Sequence, residues 1–491
     1  MKKVIIIGAG FSGLSTAAVL AKAGFDVQVI EKHEMAGGRA RKFSEDGFTF
    51  DMGPSWYWMP DVFERFFELF DKKVSDYYKL IRLDPSYTIF FGPGDKVDLP
   101  ADTQALYNLF ESIEPGSAKK LKKFLDEAAY KYEVGIKTLV FKPNKSALEY
   151  FDLKIMRSAL KMHLINSFHS YIRKYFTHPK LLRILEFPIL FLGATAAKTP
   201  ALYSLMNYGD MMLGTWYPEG GMYKVVAGFQ KLAEEMGVKF RFNEEVRSFE
   251  FTNNLVSGVV TNSNIYQADY VIASADYHHV EQKILPEQYR NYKASYWESR
   301  TMSPSSLIYF LGIDKKLDGM QHHALIFNDE FEKHAEQIYE NPQWPDNPSV
   351  YLSCTSQTDL TVAPAGKENL LILIPVAPGL HDTDEVRQHY FDFSIQRIEE
   401  TLGNSFKKDI IYRRDYSNRD FATDYHAFKG NAYGLANTLM QTAILKPSMF
   451  NKKLKNLLYT GQLTIPGPGV PPAIISGQVA ADQIIKKEKK Q

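Results

Sequence analysis

The chain has 491 residues, more than one hydrophobic core usually supports, so two or three domains are expected. Hydrophobic residues make up 45% and charged residues 23%, which excludes wholesale disorder, and a formal net charge of +1 provides no global field for gripping nucleic acid. A single cysteine, Cys354, excludes an internal disulfide and a cysteine metal cluster, and fits a reducing cytoplasm without requiring one.

The opening "MKKVIIIGAGFSG" places two lysines ahead of an apolar run, as a signal peptide does. The run is too short and ends in glycines with no small-residue cleavage site, so it reads as a strand ending at Ile7. Gly8, Gly10 and Gly13, with Ala9, Phe11 and Ser12 between them, form G-x-G-x-x-G at the turn into a helix. The first glycine allows the tight turn, the second lets a pyrophosphate approach the backbone, and the third lets helix and strand pack closely. The helix start offers N–H groups and a positive dipole end to phosphate. Gly24 is placed to end that helix in a left-handed turn. "FDVQVIE" is the second strand, and its last residue, Glu31, stands where a carboxylate accepts hydrogen bonds from ribose hydroxyls and repels a ribose phosphate, which argues against NADP. Strand, glycine turn, helix and acidic residue together predict dinucleotide binding.

"KHEMAGGRARKFSEDGFTFDMGPSWY" follows, with Lys32 at its head and Gly37, Gly38 and Arg39 just past the acidic residue. Paired glycines let backbone amides approach more of the pyrophosphate, and Arg39 adds a charge-assisted bond. The G-G-R run resembles that of the flavin-binding amine oxidase and carotenoid desaturase superfamily, and Gly53, Pro54 and Ser55 look like its next flavin-side segment, with a tight turn at Gly53-Pro54. The resemblance implies FAD and an α/β fold, with a Rossmann-like FAD-binding domain, a mixed-sheet substrate domain and a helical lid.

Residues 80–212 and 288–425 are assigned to the substrate domain, the lid lying at about 100–200; residues 1–79, 213–287 and 426–491 form the discontinuous FAD-binding domain. "YTIFFGPGDKVDL" predicts a hairpin around Pro93-Gly94-Asp95, and "SAKKLKKFLDEAAYKYEVGIKTLVF" a long helix. From Lys142 to Arg183, Lys142, Lys145, Lys154, Arg157, Lys161, Arg173, Lys174, Lys180 and Arg183 face only Glu149 and Asp152, with apolar and aromatic residues interleaved. Two readings stand open: contact with an anionic membrane surface, or a solvated face over a core. The most apolar stretch, "FPILFLGATAA" (187–197), falls well short of the roughly 18 residues that span a bilayer.

"GTWYPEGGMYKVVAGFQKLAEEMGVKFRFNEEVRSFEF" (214–251) reads as glycine turn, helix and strand, and residues 255–276 as a hairpin and a further strand. The resemblance places the backbone of Val246 at the adenine. His278-His279 and His322-His323 are adjacent pairs, not metal spacing, and read as surface or packing histidines, so no metal is expected. Near the carboxyl end, "NLLYTGQLTIPGPGVPPAIISGQVAAD" is a strand, a stiff Pro/Gly approach and a helix with prolines in its first turn. By the resemblance this strand returns to the amino-terminal sheet and lays Gly461 and Gln462 beside the flavin. The helix, with Gly469, Val470 and Ile474 at its start, then points its positive end at the flavin ring.

Residues 51–70, 430–443 and 459–482 are similar to those of bacterial phytoene desaturases, and the likeness spans the whole chain. It implies FAD-dependent desaturation of a linear C40 polyene, phytoene towards lycopene, by hydride transfer to flavin and proton loss from the neighbouring carbon. Electrons would pass on to an acceptor such as oxygen or a quinone. The apolar carotenoid substrate would be drawn from a membrane, with the protein cytoplasmic and peripheral on the inner face of the cell membrane. The 33 Phe and 29 Tyr suit either core packing or a long apolar cavity. No proton acceptor can be named: Asp51, Glu219 and Asp424 are candidates with structural roles available to each. The alternatives are a desaturase or oxidase of another carotenoid (hydroxylated or C30), amine oxidation, a non-catalytic lipid escort, and an NAD(P)H-dependent reductase.

Overall fold

The computed structural model describes residues 1–146, 149, 162–163, 166–327 and 331–490. Part of the basic stretch, including Asp152, Lys154, Arg157 and Lys161, therefore lies outside the described residues.

A five-stranded sheet is built from distant parts of the chain. Its order is Leu457–Tyr459, Tyr270–Ala273, Lys3–Ile7, Asp26–Ile30 and Lys239–Arg241, every pair parallel. Its central strand is buried from Val4 to Ile7, as a parallel sheet covered on both faces requires. The first helix, Phe11–Lys22, packs on this sheet and ends before Gly24, whose φ of +89° is the left-handed conformation expected there. The last helix, Val470–Glu488, lies against the first. The carboxyl-terminal strand does return to the amino-terminal sheet, two places from the first strand with Tyr270–Ala273 between them.

A seven-stranded mixed sheet forms the second layer, in the order Ile410–Tyr416, Ser305–Ile313, Glu368–Val376, Val350–Ser353, His323–Ile326, Tyr87–Gly92 and Asp95–Leu99. Only the His323–Ile326 and Tyr87–Gly92 pair is parallel. The hairpin turns at Pro93-Gly94 as expected. Ser305–Ile313 is buried at every residue, so its side chains pack on both faces of the sheet. A two-stranded ribbon pairs Leu80–Arg82 antiparallel with Trp216–Pro218.

Helices Thr103–Ile113, Ser117–Lys137, Phe168–Ile172, Pro179–Glu186 and Leu205–Met211, with the short turns Leu139–Phe141 and Ala201–Ser204, make a third layer. The long one buries Leu121, Phe124, Leu125, Ala128, Tyr132 and Ile136, the spacing of a single helical face. Among the described residues of the basic stretch, Arg173 pairs with Glu186 at 2.8 Å, Arg183 with Glu332 at 2.7 Å, and Lys180 with Asp95. Much of its described charge is thus engaged within the chain. No helix among the described residues is long and apolar enough to cross a membrane.

Candidate active site

The site is assembled by glycines that let backbone press on backbone. A side chain at Gly13 would overlap the carbonyl oxygen of Gly8, so this glycine packs helix on strand. Gly37 N–H donates to Ala9 O at 2.8 Å, and a side chain at Gly38 would touch Gly10 Cα at 3.4 Å, so the second glycine loop sits on the first. Gly53 faces the carbonyl of Arg39 too closely for any side chain; its φ is not positive, so close approach rather than turn geometry demands glycine there. From the other end of the chain, a Cβ on Gly461 would lie 3.3 Å from Ser12 Oγ, at the start of the first helix.

These loops surround one cavity of about 900 Å³. Gly8, Gly10, Phe11, Ser12, Glu31, Lys32, Gly37, Gly38, Arg39, Gly53, Pro54, Ser55, Val246, Gly461, Gln462, Gly469 and Val470 all line it. Three residues expected with them do not: Gly13 packs as above, Ala9 is fully buried in the turn, and Ile474 uses its carbonyl to receive Ser15 Oγ at 3.0 Å between the helices.

Glu31 closes the turn from inside the chain. One carboxylate oxygen accepts from Ala9 N–H at 2.8 Å and the other from His33 N–H at 3.0 Å, which leaves a further lone pair on each. Lys32 donates to Thr423 O at 3.0 Å, and burial holds its ammonium below the ordinary lysine range despite Glu245 and Asp424 nearby. His279, expected at the surface or in packing, lines this end of the cavity. Its ring stacks on His426 at 3.9 Å and 7°, and His426 contacts Glu245 at 2.9 Å. Adjacent histidines carry no spacing signal, so the sequence could not bring these rings together. Among the described residues no group of three or more His, Cys, Asp or Glu could hold a metal ion.

Arg39 lines the cavity, half-buried. With its amide oxygen turned inward, Gln462 accepts from Arg39 Nη2 at 2.8 Å and Nη1 at 3.2 Å, joining residues from opposite ends of the chain. Asp276, which belongs to no sequence motif, caps the short helix after the Tyr270–Ala273 strand through His279 N–H at 3.0 Å. Burial raises its carboxyl to about 6, with Arg39 pulling it down. Asp51 instead caps the helix Tyr223–Glu235 through Met222 and Tyr223 N–H, Glu219 pairs with Lys79 at 3.0 Å, and Asp424 pairs with Arg41 at 2.9 Å. Each of the three carboxylates considered as a base thus has a structural partner.

Beyond Gly53 and Ser55 the wall becomes apolar. Trp56, Trp58, Met59 and Phe63 follow the glycine loop; Ile136, Leu139, Val140, Leu202, Leu205 and Met206 come from the helical layer; Ile308, Tyr351 and Leu373 come from the mixed sheet. One space thus joins a glycine-lined, charged end to a hydrocarbon-like end.

The residues present fit FAD. Arg39 Nε, Asp276 Oδ2 and Thr460 Oγ1 are buried polar atoms at the cavity with no hydrogen-bond partner among the described residues, and a side chain at Gly10 would meet nothing within 4 Å, as room for a bound group requires. Gly469 starts the last helix with no side-chain cap, and of the first three helical positions only Val470 carries an N–H, Pro471 and Pro472 having none. Fold and site together define an FAD-dependent oxidoreductase.

The chain belongs to the flavin containing amine oxidoreductase family, matched over residues 11–485, and within it to the carotenoid desaturases. It is 40% identical over 484 residues to the carotenoid 3,4-desaturase of Haloarcula japonica, covering 98% of each chain. It is 28% identical over 492 residues to the zeta-carotene-forming phytoene desaturase of Myxococcus xanthus, covering 99% of this chain and 94% of that one. Wild-type putrescine oxidase bound to putrescine has the same fold, with a TM-score of 0.62 at 16% identity over 99% of each chain.

Proposed function

We propose that this protein desaturates a linear C40 carotenoid precursor, taking phytoene towards lycopene. The observation that carries the reading is the continuity of the glycine-lined end of the cavity with an apolar end built from three layers. Gly8, Gly10 and the first helix start would hold the diphosphate, Glu31 the ribose, Val246 the adenine, and Arg39, Gly53, Gly461, Gln462 and Gly469 the flavin side. When bound, FAD supplies the hydride acceptor. The chain's own part is simpler. Leu202, Leu205, Met206 and Ile136 hold a hydrocarbon in register and exclude water, so orientation carries much of the rate. On this reading residues 1–79, 213–287 and 426–491 form the cofactor domain, and the helices at about 100–200 the lid.

Peripheral contact with a membrane on its cytoplasmic side belongs to the same reading, since the substrate dissolves in lipid. Exposed Met440, Ile444 and Leu445 support it; they flank Thr442, which lines the cavity. Oxygen or a quinone would take the electrons onward.

A second reading, 3,4-desaturation of an already conjugated linear carotenoid, is favoured by the 40% identical relative. Product analysis separates the two. The holoenzyme is given phytoene alone in liposomes and, separately, lycopene alone. New conjugation from phytoene supports the first reading; conversion of lycopene only supports the second, and conversion of neither removes both.

A further inference from the structure

Desaturation removes a hydride from one carbon and a proton from its neighbour, and among the described residues the apolar end of the cavity offers the proton no carboxylate. The carboxylates lining the cavity are Glu31, Glu244, Glu245, Asp276 and Asp424. Glu31, Glu245, Asp276 and Asp424 stand with the glycine turn, Arg39 or the histidines at the charged end, and Glu244 joins them through its N–H to Glu31 O at 2.9 Å.

Tyr351, from the mixed sheet, is different. Its hydroxyl donates to Ser55 Oγ at 2.7 Å and also lies 2.8 Å from His323 Nδ1. Tyr351 and Ser55 line the cavity. His323, across the strand pair, is fully buried, its Nε2 has no partner among the described residues, and its ring stacks on Trp56 at 4.1 Å and 18°. Trp56 lines the same wall, and an aromatic face parallel to an imidazole stabilises the ring when it becomes a cation. This is a hydroxyl in the wall backed by a base with no other work.

We propose that Tyr351 and His323 form a relay that takes up the proton lost in desaturation, with His323 as its terminal acceptor. The inference rests on the desaturation reading. The hydroxyl hydrogen of Tyr351 turns in the ring plane from Ser55 to His323 Nδ1, and Ser55 then serves to hold the oxygen. As the hydride leaves one carbon for FAD, the C–H bond on the neighbouring carbon breaks. Its electron pair becomes the new π bond, its proton adds to the Tyr351 oxygen, and the phenolic proton moves to Nδ1. His323, already carrying its hydrogen on Nε2, becomes imidazolium. Burial, with His322 beside it, holds His323 well below the ordinary histidine range, so it is neutral and ready to accept; once the product has left, the proton returns from Nδ1 through the Tyr351 hydroxyl to water in the cavity. A weak base suffices, because a carbon next to a forming carbocation is strongly acidic.

Two measurements test the relay. In the wild-type holoenzyme labelled with ¹⁵N-histidine, His323 should carry its hydrogen on Nε2, with Nδ1 as an acceptor; a hydrogen on Nδ1 overturns the proposal without any variant. Then Tyr351→Phe and His323→Phe, which keep the rings, are mixed anaerobically with a linear carotenoid that bleaches the wild-type flavin, in H₂O and in D₂O. Bleaching should slow about 100-fold in each, with flavin content kept, and the wild-type solvent isotope effect should vanish. Wild-type rates in either variant, or slowing with an unchanged isotope effect, overturn the relay. If no carotenoid bleaches the wild type, it is the desaturation reading that has failed.

Discussion

The Thr16 hydroxyl, in the first helix, donates to the Gly477 carbonyl, in the last, at 3.1 Å. A side chain at Gly477 would overlap both Ser15 Oγ and the carbonyl oxygen of Ser12. The two ends of the chain are therefore packed backbone to backbone beside the cavity. Gly477→Val should destabilise the protein by about 1–3 kcal/mol or more. It should also lower flavin retention, because the strain falls on Ser12. Thermal melts and the flavin-to-protein absorbance ratio check both.

Gly10 and Gly13 should respond in opposite ways. Gly10 has a φ of −74° and open space before it, so Gly10→Ala is expected to melt near the wild-type temperature yet bind FAD at least tenfold more weakly. Gly13→Ala pushes into the Gly8 carbonyl and should lower the melting temperature before cofactor is considered. Melting of the FAD-free proteins beside FAD titration separates the two effects.

That contrast also explains what could be read from the chain alone. Gly8, Gly10, Gly13 and Glu31 lie within one strand–turn–helix–strand unit, so spacing carries their geometry. The return of Gly461 and Gln462 to the same cavity came through family resemblance, since no local pattern in residues 457–482 encodes a parallel pairing with residues 270–273. Tyr351, His323 and Asp276 carry no site signal in the sequence: each sits in an ordinary strand or cap, and only tertiary packing brings Tyr351 and Asp276 to the cavity and His323 behind Tyr351. The basic run from Lys142 to Arg183 leaves membrane contact and a solvated face both open in the sequence, because partners such as Asp95 and Glu332 are remote along the chain.

Lys446 supplies a pH test. Its ammonium is buried, donates to Asn437 Oδ1 at 2.7 Å, and is pushed down to about 7 by burial. Between pH 7 and the ordinary lysine range the unfolded chain holds this proton and the folded chain does not, so stability rises with pH across that window. Below pH 7 both states hold it, and the folded state bears the full cost of a buried charge. Lys446→Met lacks this contribution. Its stability relative to wild type should be most favourable at or below pH 7 and fall by a few kcal/mol towards pH 10. Urea melts at pH 6, 8 and 9.5 would show a constant difference if the lysine were instead charged throughout.

A charge in the apolar wall should separate cofactor from substrate. Leu202 lines the cavity from the turn Ala201–Ser204 of the helical layer. Leu202→Asp is expected to keep its flavin while carotenoid turnover falls at least tenfold, because an ionised carboxylate facing a hydrocarbon has no partner. Normal turnover in this variant would move the substrate elsewhere.

The most direct measurement is anaerobic. Purified flavin-loaded protein is mixed with phytoene in liposomes, with no nicotinamide present, and the flavin band and the carotenoid spectrum are followed together. Bleaching of the flavin in step with new polyene conjugation, one double bond per flavin reduced, is the expected result. A flavin that stays oxidised with every linear carotenoid and bleaches only when NADH is added would contradict it.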